Sequence, residues 1–239
     1  MTRLTTCPDA EAVASRAAAL IGRQLERARA ERGVAHLALS GGTTPGHTYE
    51  LLGAEHDVLE RVELWFADER CVRPDDPESN YRLAYEAMLA PAAIDPARVH
   101  RMEGELGPHT GAERYGRELA ARLADEGKLP VLDVVVLGIG PDAHIASLFP
   151  GAATLSAPED AICLGIEDSP KPPPERITLS LGMLHAARSC LLLATGAGKA
   201  DAISAMLGEP SRHAPASLLR RGRLSVIVDD AAAPPPRLR

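Results

Sequence analysis

Residues 132–140 read LDVVVLGIG, and the stretch Val134–Leu137 holds four adjacent apolar positions before glycine stops it. A strand with one wet face alternates polar and apolar side chains, and this one does not. It predicts a strand buried on both faces, which requires a sheet sandwiched between helices. Similar runs recur at VAHLALS (34–40), VELWFAD (62–68), AICLGIE (161–167), RITLS (176–180), SCLLLAT (189–195) and LSVIVDD (224–230). Helical stretches lie between several of them. Residues 9–32 carry apolar side chains at helical spacing, with Asp9 as N-cap and Gly33 as the stop. Pro45 suits the first turn of a helix running through Leu52. Residues 79–89 (SNYRLAYEAML) predict a helix capped by Ser79, and 110–126 and 199–207 predict two more.

Strands alternating with helices predict an α/β fold with a mainly parallel, Rossmann-like sheet and helices on both faces. Right-handed crossovers then bring the strand ends, and any ligand site, to one edge. No stretch suits a linker, so residues 1–230 are expected to form one domain. KPPPE (171–175) reads as a stiff loop, and AAAPPPRLR (231–239) as a frayed, flexible tail.

Composition excludes several classes of function. The net charge is −7 and aromatics make up only 3%, so nucleic acid is not an expected partner. An anionic substrate would need cations concentrated locally. The opening MTRLTTCPD lacks the apolar core of a signal peptide, and no run approaches a membrane span. Cys7, Cys71, Cys163 and Cys190 fit no metal spacing and read as free thiols of a reducing compartment. The expectation is a cytoplasmic protein without a metal, cofactor or membrane partner.

Three strand ends carry chemistry. Ser40-Gly41-Gly42-Thr43-Thr44-Pro45 follows a strand and opens a helix, which suits a phosphate cradle of backbone N–H groups and hydroxyls. An ordinary strand-to-helix turn would use the same glycines, and the segment is not a Walker A loop. Asp68-Glu69-Arg70 ends another strand, where ligand sites form, although a solvated loop with a local ion pair would read the same way. Gly138-Ile139-Gly140-Pro141-Asp142-Ala143-His144 places an imidazole beside an acid that would orient it. A lone histidine also serves structure. The G-x-G-x-x-A spacing here is not a dinucleotide fingerprint, because Pro150-Gly151 leaves room for only about two helical turns. Arg176 and Lys199, each beside a strand or helix start, are the cations the fold would gather with these loops.

Taken in order, LALSGGTTP (37–45), FADERCVRPDDPESN (66–80), LGIGPDAHIASLFP (137–150), PPPERITLS (172–180) and GAGKADAI (196–203) resemble the 6-phosphogluconolactonase family, over about residues 9–230. The related glucosamine-6-phosphate deaminases share the fold, but ASLFP (146–150) and the DER…SN loop look like the lactonase branch. The resemblance implies a sugar-phosphate isomerase/deaminase-like fold and hydrolysis of 6-phospho-D-glucono-1,5-lactone, a step of the oxidative pentose phosphate pathway. It implies that Ser40, Gly41, Gly42 and Thr43 bind the phosphate and that Arg176 and Lys199 complete that site. His144 matches the catalytic histidine and Asp142 its neighbouring acid. Asp68 and Arg70 match polar groups at the sugar end, and Asn80 matches a motif residue with no role that the sequence supplies. Similar lactonases usually have Gly before the histidine and Thr after it, where this chain has Ala143 and Ile145. Ile145 is closer to the deaminase pattern. A positive φ at Ala143 would cost about 1–2 kcal/mol.

Hydrolysis of a lactone needs an activated water and a proton for the departing ring oxygen, and a neutral imidazole can supply both in turn. His144 is the expected base. No G-x-S-x-G elbow is present. An aminosugar deaminase and a non-catalytic sugar-phosphate sensor are the competing readings. A sensor would be expected to carry an output module such as a helix-turn-helix, and the elements read here leave none.

Overall fold

The structure, a computed structural model, describes residues 2–124 and 128–234. The elements run β1 (Arg3–Cys7), α1 (Ala10–Arg32), β2 (Ala35–Leu39), α2 (Thr43–Ala54), β3 (Val62–Phe66), β4 (Asp68–Arg70), α3 (Asn80–Ala84), α4 (Pro108–Leu123) and β5 (Val134–Leu137). They continue as β6 (Cys163–Ile166), β7 (Arg176–Leu179), α5 (Leu181–Ala186), β8 (Ser189–Ala194), α6 (Ala200–Leu207) and β9 (Leu224–Asp229). Helix α1 begins and ends where its capping residues dictate. Asp9 accepts the Ala12 N–H at 2.8 Å, and Gly33 adopts φ +82° to return its N–H to the Arg29 carbonyl. Its stripe of small and branched side chains, from Val13 to Ala28, packs across β2, β5, β8 and β9.

Six strands form a parallel sheet in the order β1-β9-β8-β5-β2-β3. Val134–Leu137 lie at its centre and are fully buried, as an unbroken apolar run requires. From β2 the chain moves outward to β3, while from β5 it moves the other way to β8 and β9. The strand order therefore reverses between β2 and β5. A crevice opens at such a reversal, beyond the carboxyl ends of the strands.

The structure corrects several expectations. The run 62–68 is not one strand. At Ala67 the chain changes sheets: its N–H still pairs with Leu39 of β2, while its carbonyl accepts from Leu179 beyond the parallel sheet. Asp68 then opens β4, which joins β7 and β6 in a separate antiparallel ribbon. The runs 161–167 and 176–180 thus do not belong to the parallel sheet. No helix separates them, and a parallel return needs a crossover of a dozen or more residues. Strand β1 and helix α5 were not expected. β1 is a polar, half-exposed edge (RLTTC) with no apolar run to announce it. The segment after β5 holds tight turns rather than a two-turn helix. The helix expected at 79–89 opens as α3, with the Ser79 hydroxyl accepting from the Arg82 N–H, and then widens into a π-turn at Tyr85–Leu89. At the carboxyl end, Ala232 is buried and its N–H is held by Asp229 at 2.8 Å. Residues 125 and 126 of the expected helix and residues 235–239 of the expected tail lie outside the described residues.

Candidate active site

A cleft of about 350 Å³ occupies the crevice between β2 and β5. It is lined by Ser40, Gly41, Gly42 and Thr43 after β2, by Gly138–Pro141 and His144 after β5, by Thr195 and Lys199 after β8, and by Asp68, Arg70 and Arg176 from the ribbon. Every segment singled out in the sequence reaches it. Of the site residues expected, only Asp142 is not part of the wall, and it touches His144 from behind.

The glycine turn is held rigidly. The Tyr49 hydroxyl accepts from the Ser40 N–H and donates to the Ser40 carbonyl, both at 2.9 Å. Gly42 takes φ +110°, open to glycine at little cost, and starts α2 without any side-chain cap. The first N–H groups of α2 therefore remain available to an anion. The Ser40 hydroxyl is buried yet has no hydrogen-bond partner among the described residues. An orphaned buried hydroxyl costs stability unless a ligand completes it. Thr44 bonds Thr195 across the cleft at 2.8 Å, tying the turn to the end of β8.

Asn80 now has a role. Its amide donates to the Asp68 carbonyl at 2.9 Å and to the Asp68 carboxylate at 3.2 Å. Its carbonyl oxygen presses so closely on Gly41 that a Cβ there would lie 1.9 Å away. Asn80 is itself set by Glu69, whose buried carboxylate accepts from the N–H groups of Arg70, Asn80 and Tyr81 and from the Ser79 hydroxyl. Burial raises the Glu69 pKa despite those hydrogen bonds. The middle residue of the acidic–basic triplet is thus an anchor for α3 rather than a solvated surface charge. Asp68 also accepts from Ser147 at 2.8 Å. Arg70 donates to the Glu78 carbonyl, and its buried Nε has no partner among the described residues.

His144 sits on the turn after β5. Its Nδ1 lies 2.5 Å from Asp142 Oδ1, and its ring packs on Phe149 with centroids 4.6 Å apart. No described residue bonds Nε2. Gly140 makes room for the pair, since a Cβ there would meet His144 Nδ1 at 2.0 Å and Asp142 at 2.4 Å. Ala143 does adopt a positive φ, +61°, as does Ala146 at +46°. Ile145 is fully buried and belongs to the core. Burial lowers the His144 pKa, with Asp142 pulling it up and Lys171 down. Burial would raise Asp142, but hydrogen bonds from His144 and Lys171 outweigh it and leave it at about 2.

The two expected cations differ. Lys199 donates to the Ile139 carbonyl at 2.7 Å, and burial lowers its pKa. Arg176 is only 4% exposed, stacks over Phe149, and spends donors on the carbonyls of Lys171, Pro172 and Pro173. Lys171 is a residue the sequence reading missed. Its ammonium lies 3.0 Å from Asp142 and 3.2 Å from His144 Nδ1. A lysine before a proline run has no pattern that marks it, because only the folded loop brings it to the histidine. Among the described residues no group of His, Cys, Asp and Glu could hold a metal, and no helix is long and apolar enough to cross a membrane.

Comparison with known proteins shows the family and the fold. A family model described as glucosamine-6-phosphate isomerases/6-phosphogluconolactonase matches residues 8–228. A 6-phosphogluconolactonase of Streptomyces coelicolor is 38% identical, over 94% of this chain and 91% of its own. The solved structure of a 6-phosphogluconolactonase from Trypanosoma brucei superposes with a TM-score of 0.85 at 28% identity, covering 97% of each chain. A monomeric glucosamine-6-phosphate deaminase shares the fold, with a TM-score of 0.79 at 22% identity and coverage of 97% and 98%.

Proposed function

The chain belongs to the family of glucosamine-6-phosphate isomerases and 6-phosphogluconolactonases, and from that premise we propose that it hydrolyses 6-phospho-D-glucono-1,5-lactone to 6-phosphogluconate with His144 as general base. One observation carries the reading: a histidine oriented by a carboxylate presents its free nitrogen to the same cleft as an uncapped helix N-terminus with an orphaned serine hydroxyl.

The phosphate binds the Ser40–Thr43 turn, where the α2 N–H groups and the Ser40 hydroxyl donate and Lys199 adds charge. It takes no part in the chemistry. Its binding energy holds C1 of the lactone against a water at His144. Asp142 accepts from Nδ1–H, so the lone pair stands on Nε2. Nε2 takes a proton from the water as its oxygen bonds to C1, and the carbonyl becomes an oxyanion. Arg70, with its unpartnered Nε, is the donor we assign to that oxygen. Collapse breaks the bond from C1 to the ring oxygen, which leaves with the proton from Nε2. The new carboxyl group then ionises, and one proton reaches solvent per turnover.

Arg176 braces the loop that carries Lys171 and turns its remaining guanidinium nitrogen toward Ser147 at 3.5 Å, so its part in phosphate binding is secondary to that of Lys199. The unpaired state of all four cysteines suits a cytoplasmic protein. The net charge of −7 argues against a nucleic-acid partner. The test is stopped-flow acid release from freshly made lactone, corrected for spontaneous opening. Enzyme-dependent release is expected. Ammonia release from glucosamine 6-phosphate, without acid release from the lactone, would assign the chain to the deaminase branch instead.

A further inference from the structure

We propose that Lys171 is a positioning residue that holds His144 in its neutral, proton-accepting form. The inference rests on the assignment of His144 as base, and goes beyond it by naming the cation that works with burial against the pull of Asp142 on the ring.

Lys171, Asp142 and His144 form a triangle. Asp142 Oδ1 lies 2.5 Å from His144 Nδ1 and 3.0 Å from Lys171 Nζ, and the two nitrogens are 3.2 Å apart. An ammonium only donates. The ionised Asp142 carboxylate only accepts, so at 2.5 Å Nδ1 carries its hydrogen, and Nδ1 and Nζ both donate to the same oxygen. This fixes the tautomer, leaving the lone pair on Nε2 toward the cleft. It also divides the carboxylate oxygen of Asp142 between two donors, one of them cationic. An aspartate alone beside a histidine favours the imidazolium, which cannot act as a base. A lysine at 3.2 Å opposes that effect directly, because a second positive charge on the ring would face it at close range. The ring stays neutral at rest, and once charged it gives up its proton readily to the leaving oxygen.

Lys171 is held for this role by its own loop. Its N–H donates to the Ser169 hydroxyl at 3.2 Å, and its carbonyl accepts from the Ser169 hydroxyl and from Arg176. The Ser169 N–H closes the loop on the Pro174 carbonyl at 3.0 Å. A side chain 38% exposed is thereby kept on a target rather than left to wander in solvent. The other charged groups facing the imidazole are Asp68 and Arg70 on β4, Arg176 on β7 and Lys199 before α6. None of them bonds the histidine, and none changes in the test below.

The experiment follows the His144 ring by NMR titration of the ligand-free protein, beside the pH profile of kcat/KM, in wild type, Lys171→Met, Lys171→Gln and Lys171→Arg. Loss of the signal in His144→Asn assigns it. With the lysine charge removed, the His144 pKa is expected to rise by about one unit, carrying the acidic limb of the profile with it. Lys171→Arg should restore most of the wild-type position. An unchanged His144 pKa in both neutral variants would overturn the proposal whatever happened to turnover. A raised pKa with an unmoved kinetic limb would uphold the role of Lys171 and refute His144 as the base.

Discussion

Among the described residues His47, His100, His109 and His144 each lie beside a carboxylate, and the two most buried of them, His100 and His144, are built differently. His100 is 3% exposed, with Glu63 at 2.6 Å on one nitrogen, Glu118 at 2.7 Å on the other, and Trp65 stacked on its face at 4.0 Å. Both of its nitrogens are occupied. His144 has Asp142 and Lys171 crowded about one nitrogen, while the other opens on the cleft. A carboxylate partner at hydrogen-bond distance therefore says little by itself. What separates a histidine that fastens β3 to α4 from one that can exchange protons is a free ring nitrogen, with a cation opposing the carboxylate's pull. The surroundings repeat the contrast. Around His144 the backbone is bent into positive φ at Ala143 and polar groups such as the Ser40 hydroxyl are left unpartnered, costs that a purely structural contact has no reason to carry.

Exchanging each histidine in turn gives the largest separation. His144→Asn should lower kcat by a factor on the order of 10²–10⁴ while leaving the melting temperature nearly unchanged. His100→Leu should do the reverse, costing about 2–3 kcal/mol in denaturant unfolding while turnover of the folded protein persists. Equal loss of activity in both would erase the distinction. Next in size is Lys199→Ala, which should raise KM about tenfold or more in steady-state assays with little change in kcat, since it removes a charged contact far from the reacting carbon. Ala143→Gly relieves the strained turn and should stabilise the fold by about 0.5–1 kcal/mol with kcat unchanged. The smallest effect concerns acid. The Asp142 pKa falls from 3.8 to about 2 in the folded protein, so its contribution to stability is complete above 3.8 and is lost as pH drops toward 2. Asp142→Asn should flatten the acid-unfolding curve in that window alone.

The sequence was most legible where burial is continuous. Val134–Leu137 announce the central strand, and Asp9 and Gly33 bound the first helix, because those side chains act on their own backbone. The edge strand Arg3–Cys7 was lost because one of its sides faces water and needs no apolar run. The runs 161–167 and 176–180 read as strands of a mainly parallel fold, and only the absence of a helix between them marks the antiparallel ribbon they form with β4. The glycine turn, Asp142 and His144 could be found from their positions at strand ends. Lys171 and the hold of Asn80 on Gly41 could not, since both depend on loops distant in sequence meeting over the crevice.

The central claim is that the cleft has a polarity, with phosphate at the β2 turn and the reacting carbon at His144. The crystal structure of His144→Asn bound to 6-phosphogluconate tests it most directly. The account predicts the phosphate on the backbone of Gly41–Thr43 near Lys199, with the C1 carboxylate within about 3.5 Å of residue 144. A phosphate resting beside residue 144, or a product bound outside the cleft, would contradict it.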